Sequence, residues 1–201
     1  YFSWPITCSF YIFHVDIWIP GEVCTDTGIH STFMNVMCDL TQFCITSLLP
    51  EKKTSALLAK LFMENIILTF GMVAVVVVNA ESTFLKTFQA MCKILNLHFW
   101  PLARGNHKGN GIEKFHRFLN KTSTIQGNDH GTQNGIARTV KTSQFAWNSA
   151  PIDGTDIDCS VAAIGRQFKF PLDIELGLLP TLNDDSNSAL ADYLRNVSNH
   201  A

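Results

Sequence analysis

The sequence predicts an α/β domain built on a five-stranded mixed sheet, with three antiparallel strands, two parallel strands and helices on both faces. Three observations lead to this prediction. Three segments rich in β-branched and aromatic residues follow one another near the start, a valine run comes later, and helical and extended periodicities alternate around that run. The 201 residues are 46% hydrophobic and 16% charged, which excludes a disordered chain and is enough for one full core.

The first half of the chain begins with three extended segments. Strands are predicted at 10–19, 31–39 and 42–49 because these segments are apolar, β-branched or aromatic and are separated by turn residues. A short turn joins the second strand to the third, so we expect an antiparallel meander. A helix should then open near 51–54, because the apolar residues that follow have helical spacing, and it should end at Gly71.

The valine run at 73–78 predicts a strand buried on both faces, as in parallel pairing. A helix with its apolar face formed by residues 84–95 and a short strand at 97–102 follow it. Because a parallel connection needs a crossover, this order places the last two strands side by side with a helix between them in sequence.

Two polar, glycine-rich segments divide the rest of the chain. Residues 103–111 and 122–135 are predicted as surface loops, and helices are predicted at about 112–120, 136–148 and 160–168. The end of the chain is acidic. We expect residues 10–176 to form the folded domain and residues 177–201 to form a poorly ordered tail.

Charge is unevenly distributed although the net charge is only −2. Residues 101–121 have a local net charge of +4, from one acid, Glu113, and five bases: Arg104, Lys108, Lys114, Arg117 and Lys121. Such a run is either the solvated face of a helix or a surface that contacts phosphates. Taken alone, the run favours the solvated face.

The six cysteines form no C-x-x-C pair, and most have apolar neighbours. We therefore expect free thiols and an intracellular location. The longest apolar run, 66–78, contains 13 residues, which is short of the roughly 20 that a membrane-spanning helix needs.

Three polar residues mark a candidate site. Phosphate-binding loops, dinucleotide fingerprints, nucleophile elbows and zinc-protease motifs are all missing from the sequence. What remains is Asp16 in the first strand, Asn79 at the end of the valine strand and Glu113 after the glycine-rich loop. If the first strand neighbours the fourth, Asp16 and Asn79 lie side by side and the loop brings Glu113 over them. Taken singly, each residue suits a structural role better than a functional one.

Several segments resemble the catalytic cores of retroviral and retrotransposon integrases. In chain order they are 14–21 (HVDIWIPG), 36–43 (VMCDLTQF), 76–84 (VVVNAESTF), 107–117 (HKGNGIEKFHR), 146–151 (AWNSAP), 165–166 (GR) and 171–173 (PLD). The resemblance covers residues 10–176, in the family's order and near its spacing. It implies a ribonuclease-H-like fold with an Asp-Asp-Glu triad, with Asp16, Asn79 and Glu113 at the three catalytic positions.

The resemblance also implies cofactors and partners. The triad would hold two Mg²⁺ or Mn²⁺ ions, since hard carboxylate oxygens suit these metals. The basic residues Lys108, Lys114, Arg117 and Lys121 would contact DNA phosphates without reading sequence. The partners would be the DNA ends of a mobile element, target DNA and further copies of the chain, and the site of action would be the nucleus.

The sequence departs from this family at one catalytic position, where Asn79 replaces the second aspartate. A neutral amide leaves two negative charges for two dications, so we expect the metals to bind weakly and DNA strand transfer to be impaired. Glu81, two residues on, is an alternative second ligand but is expected to cap the next helix instead. Three functions stay open: an active strand-transfer enzyme, an inactive core that still binds nucleic acid, and a domesticated interaction module.

Overall fold

A computed structural model describes residues 9–20, 32–50, 53–79, 84–103, 110–125 and 133–176. Its centre is a five-stranded sheet in the order β3-β2-β1-β4-β5. The strands are β1 (Ile12–Trp18), β2 (Thr32–Cys38), β3 (Cys44–Leu49), β4 (Val75–Asn79) and β5 (His98–Leu102). The first three pair antiparallel, whereas β4 is parallel to both β1 and β5. The predicted mixed sheet is therefore confirmed.

Strand β1 is central, and alternation along it divides the molecule into two layers. Phe13 and Val15 face one side and are fully buried with Val76 and Val78 of β4. His14 and Asp16 face the other side, together with Asn35 of β2. The valine strand is covered on both faces, as its continuous apolar sequence predicts.

Helices α1 (Ser55–Phe62) and α3 (Thr87–Ile94) cover the first face of the sheet. Helix α1 begins where Thr54 Oγ1 accepts a hydrogen bond from Leu57 N at 3.2 Å. It continues through a π-helical segment, Met63–Ile67, and a short α2 (Leu68–Phe70), which the sequence did not predict. The stretch ends as predicted at Gly71, whose φ of 94° is accessible to glycine without strain.

Helices α4 (Glu113–Ile125) and α5 (Gln133–Asn148) cover the second face. Their apolar residues pack on the β1–β3 half of the sheet and include the fully buried Phe115, Leu119 and Val140. This layer positions α4 above Asp16, because Ile112 and Phe115 are anchored in the core at the start of the helix.

Both of these helices are longer than the sequence predicted, and the predicted loop at 122–135 is correspondingly wrong at both ends. Thr122 stays helical because its hydroxyl donates back to the carbonyls of Phe118 and Leu119, both at 3.1 Å, and accepts from Ser143 Oγ of α5 at 3.0 Å. Tertiary contact between α4 and α5 thus outweighs the low helix propensity of the Thr-Ser-Thr sequence.

The last predicted helix, 160–168, is by contrast shorter in the structure. Helix α6 (Cys159–Ile164) ends at Gly165, which adopts a left-handed φ of 72° and closes the helix. A further short helix, α7 (Pro171–Glu175), follows it. The predicted tail at 177–201 lies outside the described residues. No helix in the described ranges is both long and apolar enough to span a bilayer.

Polar side chains of α5 cover the free edge of β3. Asn148 donates to Cys44 O and accepts from Cys44 N, both at 2.8 Å, while Gln144 Oε1 accepts from Thr46 N at 3.0 Å. Lys141 Nζ donates to Thr46 O. These residues lie on one helix face, at intervals of three and four. We call this set of contacts the edge clamp; it satisfies backbone groups that an open strand edge would leave free.

Candidate active site

Asp16 lies near the end of the central strand, on the face that α4 covers. Antiparallel pairing sets it opposite Asn35, and the parallel register that aligns Val15 with Val78 brings it beside Asn79. The side chain is buried, with 8% of the residue exposed. Its Oδ1 accepts a hydrogen bond from Ile17 N at 2.8 Å, which fixes the carboxylate against its own strand.

Asn79 is the last residue of β4, and its amide contacts Asp16 directly. Asn79 Nδ2 donates to Asp16 Oδ2 at 2.8 Å. Because a carboxylate can only accept, the amide must turn its NH₂ group toward Asp16 and its oxygen away. That oxygen accepts from Asn110 Nδ2 at 3.3 Å. The three side chains therefore form a directed chain of hydrogen bonds that ends on Asp16.

The Asn110-Gly111 turn attaches the start of α4 to the sheet. Asn110 Oδ1 accepts from Ile112 N at 3.4 Å, and its carbonyl accepts from Glu113 N at 3.1 Å. A side chain at Gly111 would approach Met37 Cε to 3.3 Å and the His14 ring to 3.6 Å. Glycine at this position thus allows the backbone to approach the sheet closely.

Glu113 is the first residue of α4 and is half-buried. No hydrogen bond or ion pair between described residues joins it to Asp16 or Asn79. The described part of the chain also contains no group of three histidine, cysteine, aspartate or glutamate side chains arranged to hold a metal ion. The structure therefore brings Asp16 and Asn79 together and leaves Glu113 outside their contact. Glu81, the alternative ligand, lies outside the described residues.

His116 is a site residue that sequence reasoning missed. Its Nδ1 is 3.9 Å from Asp16 Oδ2, and its Nε2 is 3.1 Å from Asn35 Nδ2. Since the Asn35 amide donates to Nε2, the neutral ring carries its proton on Nδ1, facing Asp16. Burial lowers the pKa of His116 to about 4. The available signal was the Glu113-x-x-His116 spacing, which puts both side chains on one helix face.

A second histidine extends this polar cluster along β1. His14 Nε2 contacts Asp39 Oδ1 at 2.8 Å, and the hydrogen bond from His14 holds the pKa of Asp39 below its usual value. Two buried side-chain atoms nearby, His14 Nδ1 and Asn35 Oδ1, have no hydrogen-bond partner among the described residues. We call the set His14, Asn35, Asp39, Asp16, Asn79, Asn110 and His116 the site network.

The predicted basic residues lie on the outer face of α4, apart from Lys108, which is outside the described residues. Lys114, Arg117 and Lys121 are all exposed. Lys114 Nζ forms an ion pair with Asp153, so part of its charge is neutralised within the chain. Arg117 and Lys121 are four residues apart and project on the same side of the helix.

The residues around Asp16 do not fit a pair of divalent ions as they stand. Asp16 supplies one carboxylate, and each of its oxygens already accepts a hydrogen bond, from Ile17 N and from Asn79 Nδ2. The amide presents its nitrogen, which cannot coordinate a metal, toward the carboxylate. A two-metal site needs several oxygen ligands that converge, and this arrangement supplies too few.

Comparison with known structures identifies the fold as that of retroviral integrase catalytic cores. The chain is similar to the HTLV-2 integrase catalytic core domain in complex with magnesium (trimeric form), with a TM-score of 0.56 and 13% identity over 78% of this chain and 97% of that one. It is similar to the BIV integrase catalytic core domain, with a TM-score of 0.59 and 13% identity over 78% and 95% of the two chains.

A third similar structure belongs to a larger assembly, the simian T-cell lymphotropic virus intasome in complex with PP2A regulatory subunit B56 gamma. The TM-score is 0.59 and the identity 9%; the match covers 88% of this chain and only 61% of the viral one. No protein-family model matches the chain, and no curated protein matches its sequence. The similarity is therefore one of fold: a ribonuclease-H-like α/β domain of the integrase-core type.

Proposed function

We propose that this chain is the core of an integrase of the retroviral or retrotransposon type, acts in DNA integration, and is strongly impaired in strand transfer by Asn79. The integrase-core fold supports the first part of the proposal. The observation that carries the second part is the 2.8 Å hydrogen bond from Asn79 Nδ2 to Asp16 Oδ2. It places a neutral donor where a second metal-binding carboxylate would serve the chemistry.

Charge explains why this hydrogen bond matters. Two divalent ions near a transferring phosphate need anionic ligands to offset their repulsion and to fix their separation. With Asn79 the strand ends offer one negative charge, from Asp16, and Glu113 on α4 is the only other acid of the proposed triad. An aspartate at position 79 would place two carboxylates side by side, which favours a bound cation over a hydrogen bond.

The proposed cofactors and partners are carried over from structures that share the fold. The HTLV-2 core was solved with magnesium and as a trimer, and the simian viral protein belongs to an intasome. For this chain we propose weak Mg²⁺ or Mn²⁺ binding, self-association, and action on element ends and target DNA in the nucleus. Arg117 and Lys121 are the proposed phosphate contacts, together with Lys108, and the ion pair of Lys114 weakens its contribution.

A second candidate function is a catalytically inactive module of the same fold that binds nucleic acid or serves as an interaction domain. The hydrogen-bond chain from Asn110 through Asn79 to Asp16 favours it, because these groups satisfy one another without a metal ion. In this case the polar cluster is part of the folded core, and the chain acts through its surface alone.

Restoration of the carboxylate tests the proposal. In the full chain, Asn79→Asp should raise Mg²⁺- or Mn²⁺-dependent joining of DNA ends by a factor of about a thousand or more, since a charged ligand in a buried site is worth several kcal/mol in the transition state. Asn110→Asp is the matched control, because it adds the same charge one hydrogen bond farther from Asp16 and should not restore activity. The flanking domains that integrases use should be supplied in trans.

A stability measurement accompanies the activity assay. Without metal, Asn79→Asp should lower the melting temperature because two carboxylates then face each other, and Mg²⁺ should raise the melting temperature of this variant more than that of the parent chain. If the parent chain already joins DNA as fast as the variant, another acid such as Glu81 acts as the metal ligand. The proposal that Asn79 impairs strand transfer is then wrong. If neither form joins DNA and neither responds to Mg²⁺, the inactive module is favoured.

A further inference from the structure

A cleft of about 550 Å³ opens along the outer side of α3, where this helix meets the start of β5. Lys86, Gln89 and Lys93 line one side of the cleft. Asn96, the buried Leu97 and the half-buried Phe99 also line it. None of the described residues that line it is acidic. The cleft is on the first face of the sheet, opposite the face that carries Asp16, because α3 packs against Val76 and Val78.

Two ammonium groups set the charge of the cleft. Lys86 immediately precedes α3 and Lys93 lies in its last turn, so their backbones are roughly 10 Å apart along the helix axis. Both side chains are exposed, and neither forms an ion pair within the described part of the chain. Lys60 and Lys114, by contrast, pair with Glu64 and Asp153. The charge of the cleft is thus available to a ligand.

The shape of the cleft is fixed by its backbone. Asn96 adopts a left-handed φ of 56° and donates its N–H to Lys93 O at 3.2 Å, while Leu97 N donates to Cys92 O at 2.8 Å. These bonds close the helix and hold the Asn96 side chain at the rim. Ala90, one turn from both lysines, leaves room between them. The Phe99 ring rests on buried Phe88, with centroids 6.4 Å apart.

We propose that this cleft binds the phosphodiester backbone of a nucleic acid, as a second contact surface on the face of the sheet opposite Asp16. Two ammonium groups offset the charge of two phosphates, and the Gln89 and Asn96 amides supply the neutral donors that phosphate oxygens also accept. At 3.4 Å per step, a separation of roughly 10 Å spans about three steps of one DNA strand. The half-buried Phe99 ring offers an apolar surface for a sugar or base.

This inference rests on the proposed function only for the identity of the partner, a nucleic acid. Its test measures DNA binding and does not depend on strand-transfer activity. The test compares Lys86→Gln/Lys93→Gln in the full chain with Arg138→Gln/Lys169→Gln, which removes the same charge from exposed positions on α5 and after α6. Anisotropy of a labelled DNA duplex of arbitrary sequence gives the affinity at increasing salt. Circular dichroism verifies that both double variants remain folded.

The cleft variant should bind DNA about tenfold more weakly at low salt, and its slope of log affinity against log salt should fall in magnitude by about 2, one for each lost phosphate contact. The control variant should keep the parent slope. Equal slopes in the two variants would overturn the proposal, whatever Asn79→Asp does to activity. The proposal is also overturned if the cleft variant keeps its DNA affinity but loses binding of tripolyphosphate or polyglutamate, since the site then serves a small polyphosphate or an acidic polypeptide.

Discussion

The edge clamp and the site network are both polar clusters that join distant parts of the chain, but they differ in how completely their groups are paired. In the edge clamp, both polar atoms of Asn148 and the Gln144 oxygen bond to backbone groups of β3. In the site network, His14 Nδ1 and Asn35 Oδ1 are buried without a partner among the described residues. Only one other side-chain atom in the described ranges, Ser160 Oγ, shares this condition.

This difference is the one expected between a cluster selected for stability and a cluster selected for function. A buried polar group without a partner costs about 1–3 kcal/mol, so a cluster selected only for stability would not be expected to keep two of them. The site network also combines two carboxylates, two histidines and three amides, where apolar residues would pack at lower cost. The comparison yields three predictions on stability.

The largest effect is expected from Asn148→Leu in the edge clamp. The substitution conserves the side chain's approximate size but leaves Cys44 N and Cys44 O without partners, which should lower the free energy of unfolding by about 4 kcal/mol. Urea denaturation measures this loss. Ser149→Ala, which removes one hydroxyl bonded to Phe145 O on the same helix, is the control and should cost less than about 1 kcal/mol. A loss as small as the control's would mean that the clamp does not stabilise β3.

Acidification should weaken the site network through His116. Its pKa is lowered from 6.5 to about 4 by burial, so the unfolded chain binds more protons than the folded one between these values, and stability falls as the pH falls. Linkage gives a loss of about 2 kcal/mol between about pH 7 and pH 5.

Urea denaturation at each pH measures this loss, and His116→Gln should remove most of it. Asp39 does not contribute in this window, because its pKa is lowered from 3.8 and its stabilisation is lost only in stronger acid. An identical pH dependence in the parent and in His116→Gln would contradict the assignment of a buried neutral ring.

The smallest effect is expected from Asn35→Leu, the counterpart of Asn148→Leu in the site network. The substitution removes the hydrogen bond to His116 Nε2 but also removes the unpaired Oδ1, and these effects oppose each other. The free energy of unfolding should change by less than about 1 kcal/mol, measured by the same urea titration. A loss similar to that of Asn148→Leu would show that the site network stabilises the fold as much as the edge clamp does.

Local sequence predicted the sheet well because each strand has its own signal. The β-branched segments, the valine run and the turn residues between them define five strands, and the order of elements defines which strands are parallel. The lengths of α4 and α5 were not predictable in this way. The Thr122 hydroxyl that extends α4 depends on Ser143, 21 residues away, and no local pattern encodes that contact.

The candidate site was predictable in part for the same reason. Strand order places Asp16 beside Asn79, and both residues could be named from their positions at strand ends. The orientation of the Asn79 amide was not predictable, because it depends on the two partners, Asp16 and Asn110, that the fold brings to it. His116 was missed because its role depends on Asn35 in β2, which carries no motif of its own.

The edge clamp joins two parts of the chain that are synthesised at different times. Cys44 and Asn148 are separated by 104 residues, so a ribosome adding about 5–20 residues per second completes β3 roughly 5–20 s before its partner helix emerges. Over that interval the backbone groups of Cys44 and Thr46 are open to strand addition by neighbouring nascent chains. Fragments that end before α5 therefore keep an unpaired strand edge. On crowded polysomes the growing chain is exposed to aggregation until α5 has been synthesised.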